Sequence, residues 1–205
     1  MDVTRIIAIR HGETAWNVDT RIQGQLDIPL NDTGRWQAER LARALAAREA
    51  IDVVYTSDLL RAWETARPVA EATGAPLHTD EGLRERGFGS FQGKTFTEIE
   101  AAMPDEARRW RQRDPFWAPP GGESLTAMRR RVIETLHALA SRHVGEQIVM
   151  VAHGGVMDVL YRAATGQELQ APRTWLLGNT AINRLLWSPE GLSLVGWSDT
   201  SHLDD

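Results

Sequence analysis

The 205-residue chain contains no cysteine. That excludes disulfides, a thiolate nucleophile and Cys-ligated zinc or iron–sulfur sites, and leaves the compartment undecided. Lysine is nearly absent as well: of 23 basic residues only Lys94 is not an arginine. No run approaches the ~18 apolar residues that span a bilayer, so no membrane partner is expected. Nor is there an excess of positive charge. The formal net charge is −5, which argues against a nucleic-acid footprint. The opening Met1-Asp2-Val3-Thr4-Arg5 lacks the basic, apolar and small-residue succession of a secretory signal, and a cytoplasmic protein is the expectation. Repeats, low-complexity tracts and linkers are missing too.

What is present has globular proportions, 42% hydrophobic and 25% charged. At about 100–200 residues per domain, residues 1–205 read as one domain. Three short apolar runs, Ile6 to Ile9, Val53 to Tyr55 and Ile148 to Ala152, are rich in Ile and Val and do not alternate with polar residues. Parallel strands covered on both faces have that pattern. Helical stretches separate them. Trp36, Leu41 and Leu45 mark one; Leu59 to Ala72 is another, with Ser57 or Asp58 as its N-cap. Leu125, Met128, Val132, Leu136 and Leu139 recur at helical spacing behind Ser124. Val156 to Ala164 follows the third strand and stops before Gly166. Ala181 to Trp187 and Leu192 to Trp197 flank a Ser188-Pro189-Glu190-Gly191 turn and read as a hairpin at a sheet edge. The alternation predicts an α/β three-layer sandwich: a mainly parallel central sheet, helices on both faces and an antiparallel edge strand.

Ligands of such folds sit outside the carboxyl ends of the strands, so the strand ends carry the functional question. The first ends in Arg10-His11-Gly12-Glu13-Thr14, and the second in Thr56-Ser57-Asp58, with Arg61 a turn into the next helix. The extended Pro76 to Thr79 leads to Leu83-Arg84-Glu85-Arg86. The third apolar strand ends in His153-Gly154-Gly155. Two histidines, arginines and a carboxylate therefore converge. Guanidinium groups match phosphate oxygens and keep their charge. A neutral imidazole can attack phosphorus. A carboxylic acid can protonate the leaving oxygen and then deprotonate water. The glycines after each histidine let backbone N–H groups approach an anion at a helix start. Phosphoryl transfer through a phosphohistidine, without metal, fits this set. From charge alone, Glu81 and Glu85 are equivalent candidates for the acid.

Arg10-His11-Gly12-Glu13-Thr14 with Asn17 resembles the signature of the histidine phosphatase superfamily, the phosphoglycerate-mutase-like proteins. Arg21 to Gly34 resembles that family's following loop. Ser57-Asp58-Leu59-Leu60-Arg61-Ala62 with Glu64-Thr65 resembles its second arginine motif. Leu83-Arg84-Glu85 with Gly87-Phe88-Gly89 and Gln92-Gly93 resembles its acid motif, and Val151-Ala152-His153-Gly154-Gly155 its second histidine motif. The resemblance spans nearly the whole chain. It implies His11 as nucleophile, Arg10, Arg61 and His153 as the phosphate pocket and Glu85 as proton donor. It further implies that Thr14, Asn17, Gln23, Gly24 and Gly154 bind phosphate or substrate, with no metal and no cofactor.

The family holds phosphatases and mutases. Its mutase branch carries a long insert before the Glu-Ser-Leu of a late helix. Here Pro119-Pro120 reach Glu123-Ser124-Leu125 through Gly121-Gly122 alone, which favours a phosphatase acting on a small phosphorylated metabolite. A cofactor-dependent phosphoglycerate mutase is the runner-up. A metallohydrolase built on His11 and His153, and a non-catalytic binding protein on the same fold, are further alternatives. Activity in chelator and turnover of an aryl phosphate discriminate among them.

Residues 103–122 hold Trp110, Phe116 and Trp117 among arginines and prolines. They read either as a cap over the pocket or as a segment pinning its tryptophans to the core. Trp36, Trp187 and Trp197 are expected in the core or on a sheet face. Arg84 and Arg86 are expected to be solvated or structural. Arg129, Arg130, Arg131 and Arg142 are expected on a solvated helix side, and His78, His137, His143 and His202 at the surface or on helices. A homodimer is open on this reading.

Overall fold

The computed structural model describes residues 2–204. Six strands, β1 (Thr4–Arg10), β2 (Val53–Thr56), β3 (Leu77–Thr79), β4 (Gln147–Ala152), β5 (Ile182–Ser188) and β6 (Gly191–Asp199), form one sheet in the order β3-β2-β4-β1-β5-β6. The first four are parallel. β5 runs antiparallel to β1, and β6 completes the hairpin at the edge.

The helices are α1 (Ala15–Val18), α2 (Asp32–Arg48), α3 (Leu60–Thr73), α4 (Phe96–Ala102), α5 (Pro104–Arg111), α6 (Leu125–Ala140) and α7 (Gly154–Thr165). Successive β1 side chains point to opposite faces of the sheet, and each face is buried. Ile6 and Ala8 pack with Met128, Val132 and Leu136 of α6 and Val156 and Leu160 of α7. Ile7 and Ile9 pack with Leu41 and Leu45 of α2 and Ala62, Ala66 and Val69 of α3. This is the three-layer sandwich expected. Because α2 follows β1 onto one face and α7 follows β4 onto the other, the neighbouring carboxyl ends of β1 and β4 are left open between diverging chains.

A third apolar cluster lies beside the sandwich. Phe91, Ile99, Ala107 and Trp117 are buried together, with Phe88, Phe96 and Trp110 packed against them. Residues 103–122 thus contain α5, an anchored Trp117 and a Phe116 that is 81% exposed. Among the described residues no helix is long and apolar enough to cross a membrane.

Several local expectations are corrected. Neither Ser57 nor Asp58 caps α3. Its N-cap is Leu59, without a side-chain bond, and the Leu60 N–H is taken by Asp27 Oδ1 at 2.6 Å, a residue remote in sequence. Ser124 does cap α6, accepting from Ala127 N–H. Trp36 is 42% exposed, with Arg40 over its ring, whereas Trp187 is buried. His202 is buried rather than superficial. Arg131 is not solvated: it donates to the carbonyls of Gly82 and Arg84 and pairs with Glu123. It ties α6 to the loop that carries Glu85.

Candidate active site

Sheet register builds the centre. Arg10 pairs with Ala152 across β1 and β4, and His11 N–H donates to the Ala152 carbonyl at 3.0 Å. The next residues on the two strands are therefore neighbours, and the ring centroids of His11 and His153 lie 5.3 Å apart. On the other side of β4, Ser57 N–H donates to the Val151 carbonyl. This brings Ser57 Oγ within 2.8 Å of His153 Nε2.

A hydrogen bond to a carbonyl assigns the His11 tautomer. His11 Nδ1 is 2.6 Å from the Gly12 carbonyl. A carbonyl can only accept, so Nδ1 carries the proton and Nε2 keeps its lone pair. Ser57 Oγ accepts from Leu59 N–H at 3.3 Å and, able both to donate and to accept, pairs with His153 Nε2 in either tautomer. His153 Nδ1 is buried and has no hydrogen-bond partner among the described residues. Both imidazoles are held well below their ordinary pKa, chiefly by burial and next by Arg61 and then Arg10, with His11 also acting on His153. They are neutral at physiological pH.

The arginines converge on this pair. Arg10 Nη1 donates to the Leu177 carbonyl at 2.5 Å. Arg61, 1% exposed, donates through Nη1 and Nη2 to the carbonyls of Leu26 and Gly24. Burial lowers the Arg61 pKa to about 10, and the group stays charged at neutral pH. In both residues Nε is buried and has no partner among the described residues. Buried donors of this kind are rare and costly in a folded protein. The charges of Arg61 and Arg10 both act on His11, and the His153 ring is its neighbour. An oxyanion with three free oxygens satisfies such a set.

Glu85 stands beside the pair, its charge felt by both Arg10 and Arg61. Its Oε1 accepts from Arg86 N–H at 2.7 Å, and its Oε2 from Gly155 N–H at 3.0 Å. A Cβ on Gly155 would lie 2.2 Å from Glu85 Oε1, so only glycine leaves room for the acid. Gly154 sits where a Cβ would be 3.4 Å from Arg10 Nε. Glu81 lies on the exposed side of the same loop and pairs with Arg84.

The remaining sequence candidates are arranged around this centre through one another. Thr14 caps α1 in a reciprocal box with Asn17, and its hydroxyl donates to Gln23 Oε1 at 2.8 Å. Gly24 adopts φ +53 with its carbonyl on Arg61, a conformation that favours glycine. Sequence reasoning missed Ser57 as the partner of His153. It also missed Asn179, whose Nδ2 donates to the His11 carbonyl at 2.9 Å, and the Leu177 carbonyl that holds Arg10. Ser57 had a signal, its place at a strand end; the 177–179 segment had none.

A neutral imidazole among unsatisfied guanidinium and imidazole nitrogens, with a carboxylate alongside, makes this an α/β protein with a site for phosphate-type oxyanions. Comparison with known proteins agrees. The family model of the histidine phosphatase superfamily (branch 1) matches residues 6–200. Glucosyl-3-phosphoglycerate phosphatase of Mycolicibacterium vanbaalenii is 39% identical over 173 residues, 81% of this chain and 76% of the relative. A metal-independent phosphoserine phosphatase of Arabidopsis thaliana is 35% identical over 204 residues, 98% and 84% of the two chains. The solved structure of Bacillus stearothermophilus YhfR superposes with a TM-score of 0.89 at 33% identity, covering 98% of this chain and all of that one. The chain belongs to the histidine phosphatase superfamily. A phosphoric monoester hydrolase is the activity these relationships support.

Proposed function

We propose that the protein hydrolyses phosphomonoesters of small metabolites through a phosphohistidine on His11. The observation that carries this reading is that Arg10 Nε, Arg61 Nε and His153 Nδ1 are buried without a partner among the described residues, near an imidazole whose Nε2 lone pair is free. Donors fixed before the substrate arrives need no reorganisation when charge builds on the equatorial oxygens. His11 Nε2 attacks phosphorus, an N–P bond forms and the ester P–O bond breaks. Glu85 gives its proton to the departing oxygen, and the alcohol leaves. Water then attacks the same phosphorus, Glu85 takes its proton, and inorganic phosphate departs with His11 restored. The Gly12 carbonyl stabilises the Nδ1–H of the phosphorylated ring throughout.

Hydrolysis is preferred over mutase chemistry because residues 119–123 are a tight turn. Gly122 N–H bonds the Pro119 carbonyl, and Glu123 N–H bonds the Gly87 carbonyl. The chain supplies no insert there to enclose a phosphorylated intermediate and exclude water. In the same reading residues 103–122 wall the site, since Trp110 and Arg113 line the cavity beside Glu85. The test is a panel of phosphorylated metabolites assayed for inorganic phosphate with chelator present. Phosphate release is expected. Isomerised product dependent on a bisphosphorylated primer, or activity lost in chelator, would overturn the reading.

A further inference from the structure

Sheet register fixes His11 and His153, but it does not reach Glu85. Residues 84–88 belong to no strand or helix, and the tip of the acid is held by the N–H groups of Arg86 and Gly155. A group that must meet a departing oxygen needs its backbone fixed as well, because a misplacement of about 1 Å costs on the order of 10²-fold in rate.

One side chain supplies most of that hold. Arg131 of α6 sends Nη1 to the carbonyls of Gly82 and Arg84 at 2.9 and 2.8 Å, and Nη2 toward the carbonyl of Glu85 at 3.4 Å. A planar, permanently charged fork can keep three carbonyls in one fixed relation; a compact ammonium cannot. The fork is itself aimed. Glu123, just ahead of α6, pairs with Nη2 through Oε1 and meets Nε through Oε2 at 3.4 Å. The same Glu123 closes the far end of the loop. Its Oε1 accepts from Gly87 N–H at 3.0 Å, its N–H donates to the Gly87 carbonyl at 2.8 Å, and its carbonyl receives Arg86 Nε at 2.9 Å. Residues 82–87 are thus tied along their length to a single ion pair. The two side chains are 25% and 21% exposed, so salt screens the pair less than one in the open. From the opposite side, Gln25 Nε2 reaches the Glu85 carbonyl at 3.2 Å and Asp58 pairs with Arg84. Losing Arg131 therefore loosens the loop without releasing it.

We infer that Arg131, aimed by Glu123, is the positioning residue of the proton donor: it sets the distance between the Glu85 carboxyl and the leaving oxygen. The inference rests on the reading of Glu85 as the acid and adds what holds that acid in place. Arg131 reaches the phosphate pocket through charge alone, as the least of the influences on His153. Its removal should therefore show where a proton is needed and matter less where none is.

The test measures kcat/KM, which reads formation of the phosphoenzyme, on p-nitrophenyl phosphate and on the alkyl phosphate hydrolysed best in the metabolite panel. Arg131→Gln should slow the alkyl ester by roughly 10- to 100-fold, and the aryl ester by at least about tenfold less. Arg131→Lys keeps the charge but loses the fork, and should behave as Arg131→Gln does. Glu123→Gln should shift the two esters in the same direction by a smaller factor. In a Glu85→Gln background there is no proton left to place, so Arg131→Lys should add nothing to the selective loss. A merely structural role would slow both esters together and would add to Glu85→Gln. Should Arg131→Gln fail to fold, Arg131→Lys and Glu123→Gln carry the same comparison. Equal losses on the two esters in these variants, or losses additive with Glu85→Gln, would overturn the inference and leave Glu85 as the acid. Equal losses in Glu85→Gln itself would overturn that reading, and the inference with it.

Discussion

The two halves of the site differ in how their central groups are held. In the proposed phosphate pocket sheet register fixes His11, His153 and Ser57 through backbone bonds, and arginine-to-carbonyl contacts hold only Arg10 and Arg61 around them. The cavity beside Glu85 is lined in part by α6 and α7 and in part by irregular segments that never pair with the sheet, residues 86–88, 110–113 and 169–173. Those segments are joined by side chains reaching for distant carbonyls, as Arg113 reaches Leu169 and Arg162 reaches Ala171. A pocket made by register admits little variation without breaking the sheet. A wall made by arginine-to-carbonyl contacts can be rewritten one residue at a time. We therefore expect chemistry to reside in the first half and selectivity in the second.

The sharpest test of that division is His11→Ala. It should abolish turnover on every ester and remove any acid-labile, base-stable phosphoenzyme; a phosphoenzyme retained in the variant would mean that another residue is the nucleophile. Next comes Arg61→Ala, which should lower kcat/KM by about 10²–10³, as loss of one preorganised donor does, on all substrates alike. A loss confined to one substrate class would move Arg61 to the selective half. Glu85→Gln should be smaller on average but uneven. In kcat/KM, which reads formation of the phosphoenzyme, poor leaving groups such as sugar alkoxides should slow far more than an aryl phosphate, whose oxygen needs little proton help. Equal losses would show that Glu85 stabilises something other than the leaving oxygen.

The smallest effect is in pH. Burial and the arginines depress the pKa values of His11 and His153 in the folded state, whereas an unfolded histidine titrates near 6.5. Below that value the unfolded chain binds more protons, so stability falls as pH drops through 6.5 and keeps falling until the folded values are reached. The slope is about 1.4 kcal/mol per pH unit for each histidine. Thermal melts from pH 8 to pH 5 should be less steep in His11→Asn than in the wild type. Over the same range the acid limb of kcat/KM should lie well below 6.5, because His11 keeps its lone pair. An acid limb at 6.5 would contradict the neutral, shielded imidazole.

The division between register and reach also explains what could be read from the sequence. Apolar runs without alternation identified β1, β2 and β4, and the polar residues that end them are the ones proposed to make the pocket. Ser57 was legible as a strand end but drew the wrong role, because a hydroxyl before a helix suggests a cap. The real cap contact comes from Asp27 across a loop. Arg131 lies off the apolar stripe of α6 and reads as solvated, yet two carbonyls of the acid loop and the Glu123 carboxylate claim it. His202 is buried by the approach of the C-terminal turn to α2, where Arg40 donates to its carbonyl, and no local pattern signals such a contact. Asn179 lies in irregular chain, and only the fold brings it to the site.

Gly155 is the second residue of α7, a helix in whose interior alanine would be favoured over glycine. The missing methyl is the seat of Glu85. Restoring it would push the carboxylate aside while leaving His11 and both arginines in place. With an aryl phosphate the first half of the reaction needs no acid, but release of the phosphoryl group still needs a base to activate water. On the proposed roles, a single added carbon would separate the two halves in time and turn a recycling catalyst into a stoichiometric acceptor, one that takes up a phosphoryl group and keeps it.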